Sequence, residues 1–209
     1  RMTWRMEDPQ GMEARKVMWD IVPYTRGRVL DLGCGNFKTF PHFICVDNGH
    51  HWGKADADLL VPSCEKLEMI ASASCDAVFS SHLLEHIKYE NVPATLREWW
   101  RVVKQGGHLI LYVPDEDEYP KVGEEGANPD HKWNVNYQRV IEAMEPIGGW
   151  DLIEYQKRNG GQEYSLYFVF RKTNGKIRHS WRNPKPAKTC AIVRYGAFGD
   201  AIQTSSILP

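Results

Sequence analysis

Long apolar runs are missing from this chain: none approaches the roughly 20 residues that a membrane-spanning helix needs. The N-terminus also lacks the basic-then-apolar order of a secretory signal. No excess of one charge is present either. Lys and Arg total 26 against 27 Asp and Glu, a net charge of −1, so nothing draws the whole chain to nucleic acid or to an anionic membrane. Cysteine is sparse. The five, at positions 34, 45, 64, 75 and 190, form no C-x-x-C pair, are odd in number and sit mostly in apolar runs, a usage expected of the reducing cytoplasm. Internal repeats and low-complexity tracts are absent. The first residue is Arg1 and not Met, as expected of a processed or trimmed chain. What remains is 209 residues, 42% of them hydrophobic, enough for a domain with a sizeable core.

Asp8-Pro9 supplies a helix cap and a helix-compatible proline. Met12, Val17, Met18, Trp19 and Val22 suit a helix that ends before Pro23. Arg28 to Leu32 (RVLDL) reads as a strand, Gly33-Cys34-Gly35 as a tight turn, and Phe43 to Asp47 (FICVD) as a second strand ending on a carboxylate. Cys75 to Ser80 and His108 to Val113 read as further strands. Between them Val92, Leu96, Trp99, Trp100 and Val103 outline one face of an amphipathic helix, with Arg97, Glu98, Arg101 and Lys104 on its wet face. Asn134 and Asn136 are caps for a helix through Val140, Ile141 and Met144 that stops at Pro146. Trp150 to Gln156 and Tyr164 to Arg171, joined by a glycine-containing turn, read as an antiparallel hairpin. The alternation predicts an α/β fold whose sheet is mostly parallel with one antiparallel strand.

In DLGCGN (Asp31 to Asn36) the glycines let the backbone turn sharply after a strand and approach a ligand closely. Asp47, at the end of the next strand, can accept both hydroxyls of a ribose. Asp56 and Asp58 add acidic positions at the following turn, where a solvated loop charge is the plainer reading of Asp56.

Taken with VDN (46 to 48), ADADL (55 to 59), CDAVFSSHLLEHI (75 to 87), LREWWRVVKQGGHLILYVPD (96 to 115) and the terminal hairpin, these residues resemble a class I S-adenosylmethionine-dependent methyltransferase. The likeness runs from about Pro23 to Lys172. It implies a Rossmann-like methyltransferase sheet with S-adenosylmethionine as cofactor. Gly33 and Gly35 would face the methionine portion, Asp31 would hold its amino group, Asp47 the ribose, and Asp58 with Leu59 the adenine. The chain departs from the family where Phe37 stands in place of a glycine, and where Asn36 to Pro41 leaves little room for the usual helix.

His82-Leu83-Leu84-Glu85-His86 has the spacing of an inverted zinc-hydrolase motif. Zinc would need His82 and His86 on a stable helix plus a third ligand, and only dispersed acids follow, so no metal is expected. In similar methyltransferases an LEH follows the fourth strand. Ser81 and His82 are then expected to line the methyl-transfer pocket, with His86 as a packing residue. Pro114 to Asn134 is too long for a minimal connection and reads as an acceptor-side loop. Its acids, Asp115 to Glu118 among them, would repel a phosphate backbone, so the expected partner is a small polar acceptor and not nucleic acid. His131 and Tyr119 are its candidate proton-handling residues, His131 ahead of His82.

From Arg171 to Lys188 basic residues and prolines without acids suggest a linker, placed at 173–188. Thr189 to Tyr195 then reads as a strand, and GAFGDAIQTSSILP as a glycine turn and a helical start. This segment resembles the beginning of a heptosyltransferase-like glycosyltransferase, in which Asp200 would be the candidate base and the methyl acceptor a sugar or glycoconjugate. Residues 1–172 would be the methyltransferase domain and 189–209 a truncated second domain or a tail. Two other readings stay open: a nicotinamide-dependent oxidoreductase using Asp47 for a dinucleotide ribose, and a non-catalytic binding module of the same fold.

Overall fold

The computed structural model describes residues 13–35, 37–49, 57–174, 189–192 and 203–206. The expected cap at Asp8-Pro9, the apolar Met12, Asn36, Asp56, most of the basic linker and Asp200 with its glycine turn lie outside the described residues.

The first helix, α1, is only Ala14–Val17, followed by a 3-10 turn at Val22–Tyr24. The expected helix up to Pro23 is therefore corrected to a shorter one. In the segment from Glu13 to Tyr24 the buried residues are Val17 and Ile21, whereas Trp19 and Val22 are 66% and 44% exposed. Pro23 sits inside the 3-10 turn, where its missing N–H is not needed. Then come β1 (Val29–Leu32), β2 (Ile44–Asp47), a two-residue β3 (Leu59–Leu60) and β4 (Cys75–Ser81). Helix α2 (Val92–Val102) leads directly into β5 (Val103–Pro114), so Val103 belongs to the strand. After α3 (Tyr137–Met144), whose N-terminus is capped by Asn136 accepting from Arg139 N, β6 (Trp150–Arg158) and β7 (Ser165–Lys172) form the hairpin.

These strands make one seven-stranded sheet in the order β3-β2-β1-β4-β5-β7-β6. All neighbours run parallel except at β7, which is antiparallel to both β5 and β6. This is the expected α/β, Rossmann-like sheet, mostly parallel with a single reversed strand. Between β1 and β2 the described residues form turns and no helix.

Strand alternation divides the core between the two faces of the sheet. Leu109, Leu111 and Val113 of β5 pack with Trp99, Trp133 and Phe168 on the face covered by α2 and α3. Ile110 and Tyr112 pack with Val17, Ile21 and Phe43 on the other. No helix among the described residues is long and apolar enough to cross a membrane.

Cys34, just past β1, and Cys45 in β2 form a disulfide, whereas the cysteine usage suggested a reducing cytoplasm. β2 lies beside β1 with Cys45 opposite Asp31, and the turn at Gly33 after β1 leaves the Cα atoms of Cys34 and Cys45 5.7 Å apart, inside the usual bridging range. Such a bond is unusual in a reducing compartment.

The second unit, residues 180–209, contains the antiparallel pair β8 (Thr189–Ile192) and β9 (Gln203–Ser206). The strand expected from Thr189 is present, but the helical start expected beyond the glycine turn is corrected to a strand over 203–206. The inter-strand ladder there satisfies backbone groups that a helix would have satisfied internally.

Candidate functional site

The strand order reverses direction at β1 and β4, the position where open α/β sheets bind ligands beyond the carboxyl ends of their strands. A cleft of about 310 Å³ opens there, near the lower end of the range of small-molecule sites. Gly33, Gly35, Asp47 and Asn48 line it from the ends of β1 and β2, and Ser63, Cys64 and Glu65 from the loop after β3. His82, Leu83, His86 and Ile87 line it from the segment after β4, with Asp130 and Lys132 from the loop after β5.

Gly33 and Gly35 adopt φ of +71° and +54°, a left-handed backbone that costs a residue with a Cβ about 1–2 kcal/mol. At Gly33 a Cβ would also press on Leu83, whose side-chain atoms lie 3.0–3.1 Å away. Asp47 is 8% exposed. Its Oδ2 accepts from Gly35 N at 3.0 Å and its Oδ1 from Gly49 N at 2.8 Å. Each oxygen keeps a further lone pair for a ligand. The neighbouring Cys64 thiol is pushed up to about 12, first by burial and then by the Asp47 charge.

The other residues expected around the cofactor stand differently. Asp31 is 2% exposed and accepts from Thr39 N at 3.0 Å, so it fastens the loop beneath the glycines and does not line the cleft. Burial raises its carboxyl to about 6, against the opposing pull of the Thr39 hydrogen bonds. Asp58 accepts from Cys45 N at 2.8 Å and from Lys38 Nζ at 2.9 Å, and these donors, Lys38 first, hold it below the usual carboxylate range. Leu59 packs against the core. Ser81 ends β4 with its hydroxyl buried and without a hydrogen-bond partner. None of Asp58, Leu59 and Ser81 lines the cleft, and Ser63 to Glu65 occupy that wall instead.

After β4 the chain turns through His82, whose φ is +48° and whose N–H donates to Tyr112 O at 2.8 Å. The following Leu84–His86 is a 3-10 turn. His82 and His86 are therefore not successive residues on one face of an α-helix. The His82 ring instead lies 3.0 Å from Ser165 Oγ through Nε2, and 3.4 Å from Glu85 Oε1 through Nδ1. The far end of the long loop is tied to this turn. Lys132 N donates to Glu85 O at 2.8 Å, and Trp133 Nε1 to Leu84 O at 3.2 Å. These bonds bring His131 against His86, with ring centroids 4.9 Å apart.

Tyr119 stands 5.2 Å from His131 and 5.0 Å from Tyr164, centroid to centroid, and Tyr164 is 5.6 Å from His82. The three residues expected to handle protons, His131, His82 and Tyr119, are thus gathered into one wall together with Tyr164. Tyr119 and His131 border a small depression next to the main cleft. Burial is the main cause of the shifts here. It holds His82 well below the ordinary histidine range, brings His131 down to about 4, and raises the carboxyl of Glu85 to about 8. Both histidines are therefore neutral at pH 7. The acidic loop is partly neutralised by Lys157, whose Nζ lies 3.0 Å from Asp115 and 2.9 Å from Asp117.

The sequence reading missed Ser63 to Glu65, which carry no periodic signal, and gave no role to Tyr164, a hairpin residue whose position depends on the β5–β7 register. It also found no partner for the LEH turn, because His131 is distant in sequence.

Residues 30–111 match a family described as a methyltransferase domain. Curated proteins provide no match. Among solved structures, the chain is similar to a SAM-dependent methyltransferase from Archaeoglobus fulgidus, with a TM-score of 0.56 and 18% identity over 76% of this chain and 94% of that one. It is similar to a SAM-dependent methyltransferase from Methanosarcina mazei, with a TM-score of 0.55 and 14% identity over 74% and 97%. The 1,6-didemethyltoxoflavin-N1-methyltransferase of Burkholderia thailandensis, solved with that compound and S-adenosylhomocysteine bound, gives 0.59 and 14% over 79% and 80%. At these identities the likeness establishes the fold.

Proposed function

We propose that the chain is an S-adenosylmethionine-dependent methyltransferase acting on a small polar acceptor. The observation that carries this reading is Asp47. Its nearly buried carboxylate ends β2 beside the left-handed glycine turn and faces the cleft with lone pairs to spare, within a segment that matches a methyltransferase domain. Asp47 would accept the ribose hydroxyls, while Gly33 and Gly35 let the backbone approach the methionine portion. Asn48 and Ser63 to Glu65 would border the adenine. Asp31 would act from beneath by holding the Thr39 segment.

The cofactor supplies an electrophilic methyl group on a sulfonium. The chain's own contribution is alignment, an effect that can reach about 7–11 kcal/mol. The wall of His82, Tyr164, Tyr119 and His131 would orient the acceptor and exclude water from it. His131, brought down to about 4 by burial, is a weak base at pH 7. The histidines alone therefore suit an acceptor that is already nucleophilic. A sugar or glycoconjugate acceptor is the narrower reading, and it rests on the resemblance of residues 189–209.

A thermal-shift series tests the proposal. S-adenosylmethionine and S-adenosylhomocysteine should each raise the melting temperature while NADH leaves it unchanged. Stabilisation by NADH alone would favour the oxidoreductase reading, and no stabilisation by any of them would favour a binding module.

A further inference from the structure

Glu85, His86 and His131 offer one ligand atom each, all within 4.8 Å of one another. Glu85 is fully buried, at 0% exposure, and neither of its carboxylate oxygens has a hydrogen-bond partner. A buried polar group left so is costly, and imidazole nitrogens stand close to it: His82 Nδ1 at 3.4 Å and His131 Nε2 at 3.8 Å from Oε1. We propose that Glu85, His86 and His131 bind a divalent first-row transition cation in the wall between the cleft and the adjoining depression.

Two imidazoles and a carboxylate form a donor set suited to zinc, iron(II), cobalt or manganese. Bonds of about 2.0–2.2 Å in tetrahedral geometry place donors roughly 3.3–3.6 Å apart. From the observed separations of up to 4.8 Å, rotations of the Glu85 and histidine side chains would bring the donors to this spacing. The backbone that carries them is already fixed by the Lys132 and Trp133 hydrogen bonds. An ion would also supply the charge that a buried carboxylate otherwise lacks. His82, the first histidine of the inverted motif, is engaged with Ser165, so this ligand set differs from that of the motif.

His86 borders the main cleft and His131 the depression, so an ion with these three ligands keeps a position for an exogenous oxygen. On the methyltransferase reading, that oxygen would be an acceptor hydroxyl, which gives its proton to water more readily when metal-bound and takes the methyl group from the sulfonium as the S–CH3 bond breaks, leaving S-adenosylhomocysteine. This last role rests on that reading; the binding site does not.

The test uses the full chain stripped with a chelator, titrated with cobalt(II) by visible absorption and zinc(II) by calorimetry, with S-adenosylhomocysteine titrated into the same preparation. One equivalent of metal is expected. Glu85→Gln and His131→Ala should each weaken binding by more than the roughly 10–100-fold that loss of an outer-shell partner costs. His42→Ala, on the exposed surface, should leave it unchanged. Circular dichroism reports folding, and if His131→Ala fails to fold, the near-isosteric Glu85→Gln alone decides. A folded wild type that binds S-adenosylhomocysteine but no metal overturns the site. So does metal held equally by both variants, an adventitious ion only. Metal binding lost in Glu85→Gln without any S-adenosylhomocysteine binding upholds the site and removes the cofactor reading.

Discussion

The two ends of the cleft are assembled by different means. On the side of β1 and β2, Gly33, Gly35 and Asp47 follow the strands directly, and the Asp47 carboxylate is held by the N–H groups of Gly35 and Gly49, twelve and two positions away. On the other side, His82, His86, Tyr119, His131 and Tyr164 come from the turn after β4, both ends of the long loop and the residue just before β7, and they touch ring to ring. The first end depends on backbone conformation and one carboxylate. The second depends on tertiary packing of side chains, so substitutions should affect the two ends separately.

The largest effect is expected at Asp47. Asp47→Ala removes a charged acceptor worth about 1.5–3 kcal/mol per hydrogen bond, so affinity for S-adenosylhomocysteine should fall about 100-fold or more by calorimetry. Next is the carboxyl beneath the glycine loop. Asp31 is raised from 3.8 to about 6 in the folded chain, so between those values the folded state keeps a proton that the unfolded state has released. Its contribution is full below about pH 4 and is lost as pH rises through 6, a change of up to about 3 kcal/mol. Denaturant melts across this window should show the loss in the wild type and a flatter profile in Asp31→Asn.

Gly33→Ala should cost about 1–2 kcal/mol of stability from its left-handed backbone, and more if Leu83 cannot move aside. It should also weaken cofactor binding, whereas thermal melts of Gly160→Ala, at a loop glycine with open space around it, should change little. The smallest effect tests the opposite end: Trp133→Phe removes the hydrogen bond to Leu84 O, at about 0.5–1.5 kcal/mol. It should loosen the contact between the loop and the LEH turn while cofactor affinity changes less than twofold. A large loss of cofactor affinity in this variant would mean that the two ends are coupled.

The same contrast governs what could be read from the sequence. Strands β1, β2, β4 and β5, helix α2 and the β6–β7 hairpin were legible because each carries its own periodicity. The glycine turn and Asp47 were legible because a strand–turn–strand order fixes where they point. Strand β3 was missed because two residues carry no period. The first helix was drawn too long because Trp19 and Val22, apolar by type, face outward. Asp31 and Asp58 looked available to a ligand, but Asp31 is buried beneath the glycine loop, where it accepts from Thr39 N, and Asp58 stands outside the cleft beside Lys38 and Cys45 N. The Cys34–Cys45 bond and the meeting of His131 with the LEH turn are products of sheet pairing and loop docking. Neither leaves a trace in local spacing.

Calorimetric titration of S-adenosylhomocysteine into the wild type, Asp47→Ala and His131→Ala tests most directly whether the β1–β2 end holds the cofactor independently of the acceptor wall. Saturable binding to the wild type and His131→Ala that disappears in Asp47→Ala is the expected result. Binding that survives in Asp47→Ala, or is absent from the folded wild type, would contradict it.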